Sequence, residues 1–273
     1  MPLISKITTQ KRKADRYNIY LDNGHGEEYA FSVSEDVLIK HQLMKGKEIS
    51  EDDIQNIFYQ EEIEKAYIQA INFLSYRMRS TLEVRQHIEE KGFEQTLCDT
   101  VIQRLKEQNY LNDEEFALSY LRTQIQTTDK GPVVIANSLK EKGITQKLID
   151  EVLLEFPKEL ELEKAITLCE KWIQKKNTKS EKQVRVDLKA MLHRKGYTLD
   201  IIQQAIHTSV QEVFDENQEK KAIKLQIQKA YSKYRMLSEF ERNMKIKQFL
   251  FRKGFPYDLI EEAIHSIDHF ISD

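Results

Sequence analysis

Helix-breaking residues are scarce in this chain, which has 8 glycines and 4 prolines among 273 residues. Every glycine fits a predicted turn or helix end, so none remains to build a phosphate-binding loop, and no Walker or dinucleotide-binding fingerprint occurs. ATP and NAD are therefore not expected as cofactors. Apolar runs are also short, and none reaches the roughly 18 residues of a membrane span. We expect no membrane contact and, because the first residues lack the apolar centre of a signal peptide, a cytoplasmic location.

Cysteine is nearly absent, with two residues in all. Cys98 and Cys169 lie on predicted apolar helix stripes, which favours two reduced core thiols over a disulfide or a metal pair. His265 and His269 have the spacing of a helical metal pair, but His207 occupies the same repeat position as His265, which favours an architectural role. No local pattern of nucleophilic catalysis occurs. We expect no metal, no cofactor and no enzymatic activity.

What the sequence does contain is a fourfold repeat. A Lys-Gly pair recurs at intervals of roughly fifty residues, followed each time by an aromatic or aliphatic residue. The pairs are Lys91-Gly92, Lys142-Gly143, Lys195-Gly196 and Lys253-Gly254. Apolar residues stand four and eight positions before each glycine and five, six, nine and ten positions after it. This spacing predicts two amphipathic helices joined by a turn, which we call the Lys-Gly corner, where glycine adopts the left-handed conformation.

A third amphipathic segment precedes each pair of helices, so each copy is predicted to be a three-helix repeat. Upstream, alternating residues around Asn23-Gly24 predict a β-hairpin that places Tyr29, Phe31 and Val33 on one strand face. We therefore predict a mainly α fold of tandem three-helix, helix-turn-helix-like repeats in an elongated array, with a small N-terminal antiparallel β-sheet. The predicted domains are residues 1–60 with the sheet and short helices, and repeats at 61–112, 113–160, 161–214 and 215–273.

Local signals predict several details of these helices. Ser80, Ser180 and Ser238, each followed three residues later by Glu or Gln, predict capping boxes at the starts of the middle helices of their repeats. The longer separation between cap and glycine in the last two copies predicts one extra turn in their middle helices. Over Ile54–Arg79 the pattern allows one long helix or two, and we favour a break near Gln60–Glu61.

The net charge of −3 conceals two basic segments. Residues 164–200 contain ten Lys and Arg against four Asp and Glu, and residues 220–256 contain eleven against two. These positive residues concentrate on the middle helices of the third and fourth repeats. Such a segment is either a solvated helix face or a surface that contacts phosphates, and its recurrence in two successive copies keeps both interpretations open.

Three helices with a short central turn also form the helix-turn-helix motif, whose last helix reads DNA. Here the third helices of the last two repeats carry Gln203, Gln204, Glu261 and Glu262 where arginines would be expected. A sequence-specific DNA-binding transcriptional regulator therefore stands as an alternative function. A helical scaffold for a protein partner is a further alternative.

The first two repeats carry a more specific pattern. Copy one reads Arg77-Met78-Arg79-Ser80-x-x-Glu83-Val84 before the corner at Lys91-Gly92-Phe93, and copy two joins Tyr110-Leu111-Asn112-Asp113 and Phe116-Ala117 to Lys130-Gly131-Pro132. Taken together, these motifs resemble the RecX family of regulatory proteins, which modulate the RecA recombinase. Copies three and four lack the motifs and fit a longer form of the family.

The resemblance implies a non-enzymatic regulator that binds in the helical groove of the RecA–DNA filament and inhibits the recombinase, in DNA repair, DNA recombination and the SOS response. It implies RecA and single-stranded DNA as partners, with double-stranded DNA as a further candidate. We expect a monomer. Arg77 and Arg79 would contact the filament by this resemblance, or would only cover a helix end and pair with Glu83. The candidate contacts to nucleic acid or filament are Arg77, Arg79, Lys91, Lys130, Lys142, Lys182, Arg185, Lys189, Arg194, Lys195, Lys245, Lys247, Arg252 and Lys253.

Overall fold

The computed structural model describes residues 1–11, 15–175, 178–213 and 216–266. Within these ranges three β-strands are followed by thirteen α-helices. The chain divides into two compact units, one with residues 1–116 and 142–144 and the other with residues 117–141 and residues from 145 onward. None of the described helices has both the length and the apolar character that crossing a membrane requires.

The N-terminal sheet has three antiparallel strands in sequence order. They are β1 (Leu3–Thr9), β2 (Arg16–Asp22) and β3 (Glu27–Ser34). In the turn after β2, the carboxylate of Asp22 accepts hydrogen bonds from the backbone N–H groups of Gly24 at 2.7 Å and Gly26 at 3.2 Å. The predicted hairpin and the small antiparallel sheet are confirmed.

One prediction about β3 is wrong. Phe31 and Val33 are buried on the same face of the sheet, but Tyr29 is 57% exposed. The register between β2 and β3 shifts between Ile19 and Tyr20, so the alternation of inward and outward residues is interrupted before Tyr29 is reached. Tyr29 instead meets the ring of Tyr20 edge-on at 5.9 Å between centroids.

The first two helices connect the sheet to the repeats. They are α1 (Glu35–Lys40) and α2 (Glu51–Leu74). Helix α2 is continuous, so the break favoured near Gln60–Glu61 is wrong. Glu61 is buried within the helix and accepts hydrogen bonds from the Arg16 guanidinium at 2.5 Å and the Ser34 backbone N–H at 2.8 Å. Because the sheet supplies these partners, the carboxylate is satisfied without a helix end.

Four three-helix repeats follow the sheet. The first uses α2 with α3 (Thr81–Glu90) and α4 (Gln95–Glu107), and the second has α5 (Asp113–Thr127), α6 (Pro132–Glu141) and α7 (Gln146–Leu153). The third has α8 (Lys158–Lys175), α9 (Glu181–Lys195) and α10 (Leu199–Val213), and the fourth has α11 (Glu216–Tyr234), α12 (Glu239–Arg252) and α13 (Tyr257–His265). The predicted mainly α fold of three-helix repeats is confirmed.

The Lys-Gly corners and middle helices follow the sequence pattern. The four corner glycines have φ angles between 80° and 90°, in the left-handed region. Helices α9 and α12 have 15 and 14 residues, against 10 each in α3 and α6, so the extra turn is confirmed.

Serine caps the three middle helices in which it was expected. The hydroxyls of Ser80, Ser180 and Ser238 each accept a hydrogen bond from the backbone N–H three residues later. Only Ser80 completes a capping box, in which the Glu83 carboxylate accepts from the Ser80 N–H. The other two predicted boxes are wrong, because the Gln183 amide donates to Asp187 and the Glu241 carboxylate accepts the Ser238 hydroxyl.

The first, third and fourth repeats each bury an apolar core of their own. In the third repeat, for example, Leu188 and Leu192 of α9 pack with Cys169 of α8. Cys98 lies in the corresponding core of the first repeat. Both thiols are free and buried, and burial raises the pKa of Cys169 to about 11. The predicted core position of both cysteines is confirmed.

Candidate nucleic-acid interface

The Lys-Gly corners of the last three repeats lie against the preceding repeat. The first turn of α3 packs on the corner of repeat two, where a Cβ added to Gly143 would lie 2.7 Å from Leu82 Cβ. The first turn of α6 packs on Gly196, whose added Cβ would lie 2.6 Å from the backbone nitrogen of Val134. The first turn of α9 packs on Gly254 in the same way, 3.0 Å from the Ser180 hydroxyl. We call each of these three contacts an inter-repeat joint.

Polar groups at the joints satisfy helix ends on both sides. The Gly131 N–H donates to the Lys195 carbonyl at 2.7 Å, and the Val133 N–H donates to the Gly196 carbonyl at 3.0 Å. At the next joint the Ser180 hydroxyl donates to the Lys253 carbonyl at 2.6 Å. The first N–H groups of one helix thus meet the last carbonyls of another, groups that lack partners within their own helices.

Carboxylates from the following repeat strengthen two joints. Asp113 at the start of α5 accepts a hydrogen bond from the Thr81 N–H at 2.8 Å, and Glu219 of α11 accepts one from the Glu181 N–H at 3.2 Å. Negative charge at the positive end of a helix dipole is favourable. These acidic partners belong to the architecture of the array.

The first joint also holds two of the predicted site residues. The Glu83 carboxylate accepts from the Arg77 guanidinium at 2.9 Å, from the Lys142 ammonium at 3.0 Å and from the Ser80 N–H at 3.1 Å. Burial alone would raise the pKa of Glu83, but these three hydrogen bonds outweigh it and lower the pKa to about 2. Arg77 and Lys142 therefore stabilise the joint.

Replacing Glu83 by glutamine tests this cluster. Since the pKa of Glu83 is lowered from 4.5 to about 2 by folding, its stabilising effect is complete above the upper value and is lost as the pH falls towards the lower one. We expect Glu83→Gln to lower the free energy of unfolding by about 2 kcal/mol at pH 7 and by much less at pH 3. Urea denaturation of both proteins at the two pH values measures the difference.

The matched control is Glu90→Gln on the same helix, because Glu90 is exposed and its carboxylate has no ion pair among the described residues. Glu90→Gln should leave the free energy of unfolding unchanged at both pH values. A Glu83→Gln deficit that was equal at both pH values would contradict the ionic role.

Arg79 stacks on an aromatic ring. Its guanidinium lies 4.0 Å from the centroid of Phe73, and the imidazole of His87 stacks on the same ring at 3.9 Å. Two groups so close to one centroid must lie on opposite ring faces. Burial, followed by the nearby charge of Arg77, lowers the pKa of Arg79. This contact places Arg79 against Phe73 in the last turn of α2.

Several basic residues of the third and fourth repeats are engaged within the fold. Ion pairs join Lys195 to Asp129 at 3.4 Å, Arg185 to Glu181 at 2.7 Å and Lys247 to Glu261 at 2.7 Å. The Lys253 ammonium lies 5.5 Å from the Phe249 ring, and Arg252 Nε donates to the Gln248 carbonyl at 3.4 Å. Of the acidic partners, only Glu181 could have been found from sequence, by its four-residue spacing from Arg185.

Other predicted site residues face solvent. Lys189 and Arg194 on α9 and Lys245 on α12 are exposed, and within the described ranges their side chains form no hydrogen bond or ion pair. We call these three residues the exposed basic set. Lys91 and Lys182 are exposed as well, and Lys130 is half-buried. Long, solvated cations of this kind can reach phosphate oxygens without first breaking an internal contact.

The third helices present a different surface. Helix α10 exposes Gln203 and Gln204, and α13 exposes Glu262 while its Glu261 is held by Lys247. A helix that reads DNA would be expected to present arginine or lysine there. Of the middle and third helices in these two repeats, only the middle helices therefore present lysine and arginine.

Possible metal ligands do not cluster in the part of the chain that the structure describes. Within it, no group of three or more His, Cys, Asp and Glu side chains could hold a metal ion. His269, one half of the histidine pair considered from the sequence, lies outside the described residues.

Family models match both the sheet and the repeats. The model of the regulatory protein RecX N-terminal domain matches residues 2–50, and those of the first, second and third three-helix domains of RecX match residues 66–105, 112–153 and 218–264. The third-domain model falls on the fourth repeat. The repeat formed by α8, α9 and α10 therefore stands between the second and third domains of the family.

Comparison with whole proteins extends this match to nearly the full length. The chain is 42% identical over 269 residues to "Regulatory protein RecX" of Bacillus subtilis (strain 168), covering 98% of this chain and 100% of the relative. The chain belongs to the RecX family. A RecX of Bacillus cereus (strain 03BB102) is 43% identical over 261 residues, which is 96% of each chain.

Two crystal structures of RecX proteins share the fold. One, described as regulatory protein RecX, matches with a TM-score of 0.69 at 35% identity and covers 75% of this chain and 98% of its own. RecX from Lactobacillus salivarius matches with a TM-score of 0.53 at 32% identity and covers 55% of this chain and 97% of its own. Since both are almost fully covered, this chain is longer than either.

Proposed function

We propose that the protein is a non-enzymatic regulator that binds the RecA–DNA filament in the cytoplasm and inhibits recombinase activity. The middle helices α9 and α12 contact DNA through the exposed basic set, Lys189, Arg194 and Lys245. Other faces of the repeats contact RecA. The motifs around Arg77, Glu83 and Lys142 act indirectly, by fixing how the first two repeats are joined.

The observation that carries the proposal is the exposed basic set in a member of a regulatory protein family. Lys189, Arg194 and Lys245 are solvated and unpaired within the described ranges, whereas nearby cations such as Lys195 and Lys247 are held by carboxylates. Contacts to phosphates require no particular base sequence. A protein that reads backbone and shape in this way suits a filament whose DNA sequence varies.

Titration into a RecA reaction tests the function. We expect the purified protein to lower the rate of ATP hydrolysis by RecA on single-stranded DNA progressively, until the filament is saturated. The inhibition should weaken as salt rises, because phosphate contacts release counterions. An unchanged turnover at every protein concentration would contradict the proposal.

Competitor DNA separates this function from the alternatives. A sequence-specific regulator should keep a preference of at least about 10³-fold for one site over unrelated DNA, whereas the proposed filament regulator should show little preference. A scaffold for a protein partner alone should bind no DNA even at low salt. Filament binding together with sequence-independent DNA binding is the expected combination.

A further inference from the structure

Two joint surfaces of the repeat array have no counterpart among the described residues. Each of the three joints brings the first turn of a middle helix onto the next Lys-Gly corner. Among the described residues, no three-helix repeat packs on the first corner, Lys91-Gly92, and no corner packs on the first turn of α12. The first surface is of the accepting kind and the second of the inserting kind.

The first corner is open. Lys91 and Gly92 are exposed, and a Cβ added to Gly92 would meet no atom within 4 Å. The other three corners would place such an atom within 3.0 Å of the preceding repeat. No described donor hydrogen-bonds to the Lys91 carbonyl, whereas the equivalent carbonyls of Lys195 and Lys253 accept from the preceding repeat. The Lys91-Gly92 corner therefore resembles the corners of the three joints, but no helix start packs on it.

The start of α12 offers that partner. Phe240 stands two residues after the Ser238 cap, the position at which Leu82 and Lys182 pack on the next corner, and it is 78% exposed. The Ser238 hydroxyl donates to its own Glu241 at 2.8 Å, whereas the equivalent hydroxyl of Ser180 donates to a corner carbonyl. If no corner packs on the start of α12, Phe240 is left exposed and the Ser238 hydroxyl must use an acceptor in its own helix.

We propose that copies of this protein associate head to tail through a fourth joint, in which the first turn of α12 of one copy packs on the Lys91-Gly92 corner of the next. Phe240 covers Gly92, and the Ser238 hydroxyl donates to the Lys91 carbonyl. Glu239 and Glu241 bring negative charge towards Lys91. The contact is heterologous, so each bound pair still has one free corner and one free helix end.

A second copy of the protein is the favoured partner for these surfaces, because the chain already forms the same kind of joint three times. A single joint is small compared with stable protein interfaces, so the association is weak and a dilute protein remains monomeric. Copies held side by side on a common surface would be concentrated enough to associate.

Analytical ultracentrifugation of the full chain tests the proposal. We expect the average mass of the wild type to rise with concentration up to about 1 mM. Phe240→Asp and Gly92→Asn should each remain monomeric over this range, because the first removes the packing side chain and the second places a side chain in the joint. Asparagine tolerates the left-handed conformation of Gly92, so the corner itself is kept.

Leu154→Asp is the control, since Leu154 is an exposed apolar residue as well, 84% exposed, and lies at the end of α7, outside both joint surfaces. It should associate like the wild type. A mixture of Phe240→Asp and Gly92→Asn gives the sharpest result, because the first variant keeps a free corner and the second a free helix start. We expect one-to-one pairs in the mixture and none in either variant alone.

A wild type that stays monomeric at about 1 mM would overturn the proposal. So would either single variant associating as well as the wild type, or a mixture that forms no pairs. If Phe240→Asp lost RecA binding but kept self-association, Phe240 would belong to the RecA contact and the fourth joint would be rejected.

Discussion

Gly131→Ala is expected to lower the free energy of unfolding by about 3 to 4 kcal/mol. A Cβ at this position would lie 2.5 Å from the carbonyl carbon and oxygen of Gly196 and 2.7 Å from the Tyr197 nitrogen. These are backbone atoms, so the clash cannot be relieved by a side-chain rotation. Opening the joint would also break the hydrogen bonds from Gly131 to Lys195 and from Val133 to Gly196.

The change at Gly131 isolates the joint because its backbone is not in the left-handed region. Gly92→Ala is the complementary control, since Gly92 has a φ of 90° but open space around its Cα. We expect only conformational strain there, about 1 kcal/mol. Urea denaturation gives the two values, and hydrogen exchange should place the loss of protection in Gly131→Ala at the second and third repeats. Equal effects at the two positions would contradict the role of the joint.

Reversing the exposed basic set is expected to weaken binding to single-stranded DNA roughly 100-fold at low salt. The triple variant is Lys189→Glu, Arg194→Glu and Lys245→Glu. Each lost phosphate contact should reduce the slope of log K against log salt by about 0.7, so three should reduce it by about 2. Because the three side chains are exposed and form no described ion pair, the fold should be unchanged. Fluorescence anisotropy across a salt series measures the affinity and the slope.

A second triple variant controls for net charge. Lys171→Glu, Lys221→Glu and Lys229→Glu make the same charge change on the first helices of the same two repeats, where all three side chains are exposed. We expect a much smaller loss of affinity, because only the long-range field changes. If both triple variants lost affinity equally, the middle helices would not be the contact surface.

The helix-corner-helix pattern could be predicted because its signals are local. The left-handed φ of Gly143 and Gly196 and the cap at Ser80 follow from residues within a few positions of them. The continuity of α2 could not be predicted in this way. The partners that keep Glu61 satisfied, Arg16 and Ser34, come from the sheet, 45 and 27 residues away in the chain.

In the candidate site, too, the sequence identifies the residues but not the partners that lie far away in the chain. The sequence places Lys142 and Lys189 among the same candidate contacts, yet Lys142 is held by Glu83, 59 residues away, while Lys189 is free within the described ranges. The joints were missed for a related reason. Gly131 directly precedes Pro132, the first residue of α6, and nothing in its neighbourhood indicates that Gly196 would pack against it.

The joints also bear on how the length of this protein can change during evolution. The third repeat carries its own core together with one accepting corner and one inserting helix start. A duplicated repeat of this kind therefore already contains both surfaces that form joints with its neighbours. No new type of contact has to evolve. The position of the third-domain match on the last repeat fits such an event, in which a module entered the middle of the gene and left the first and last modules recognisable.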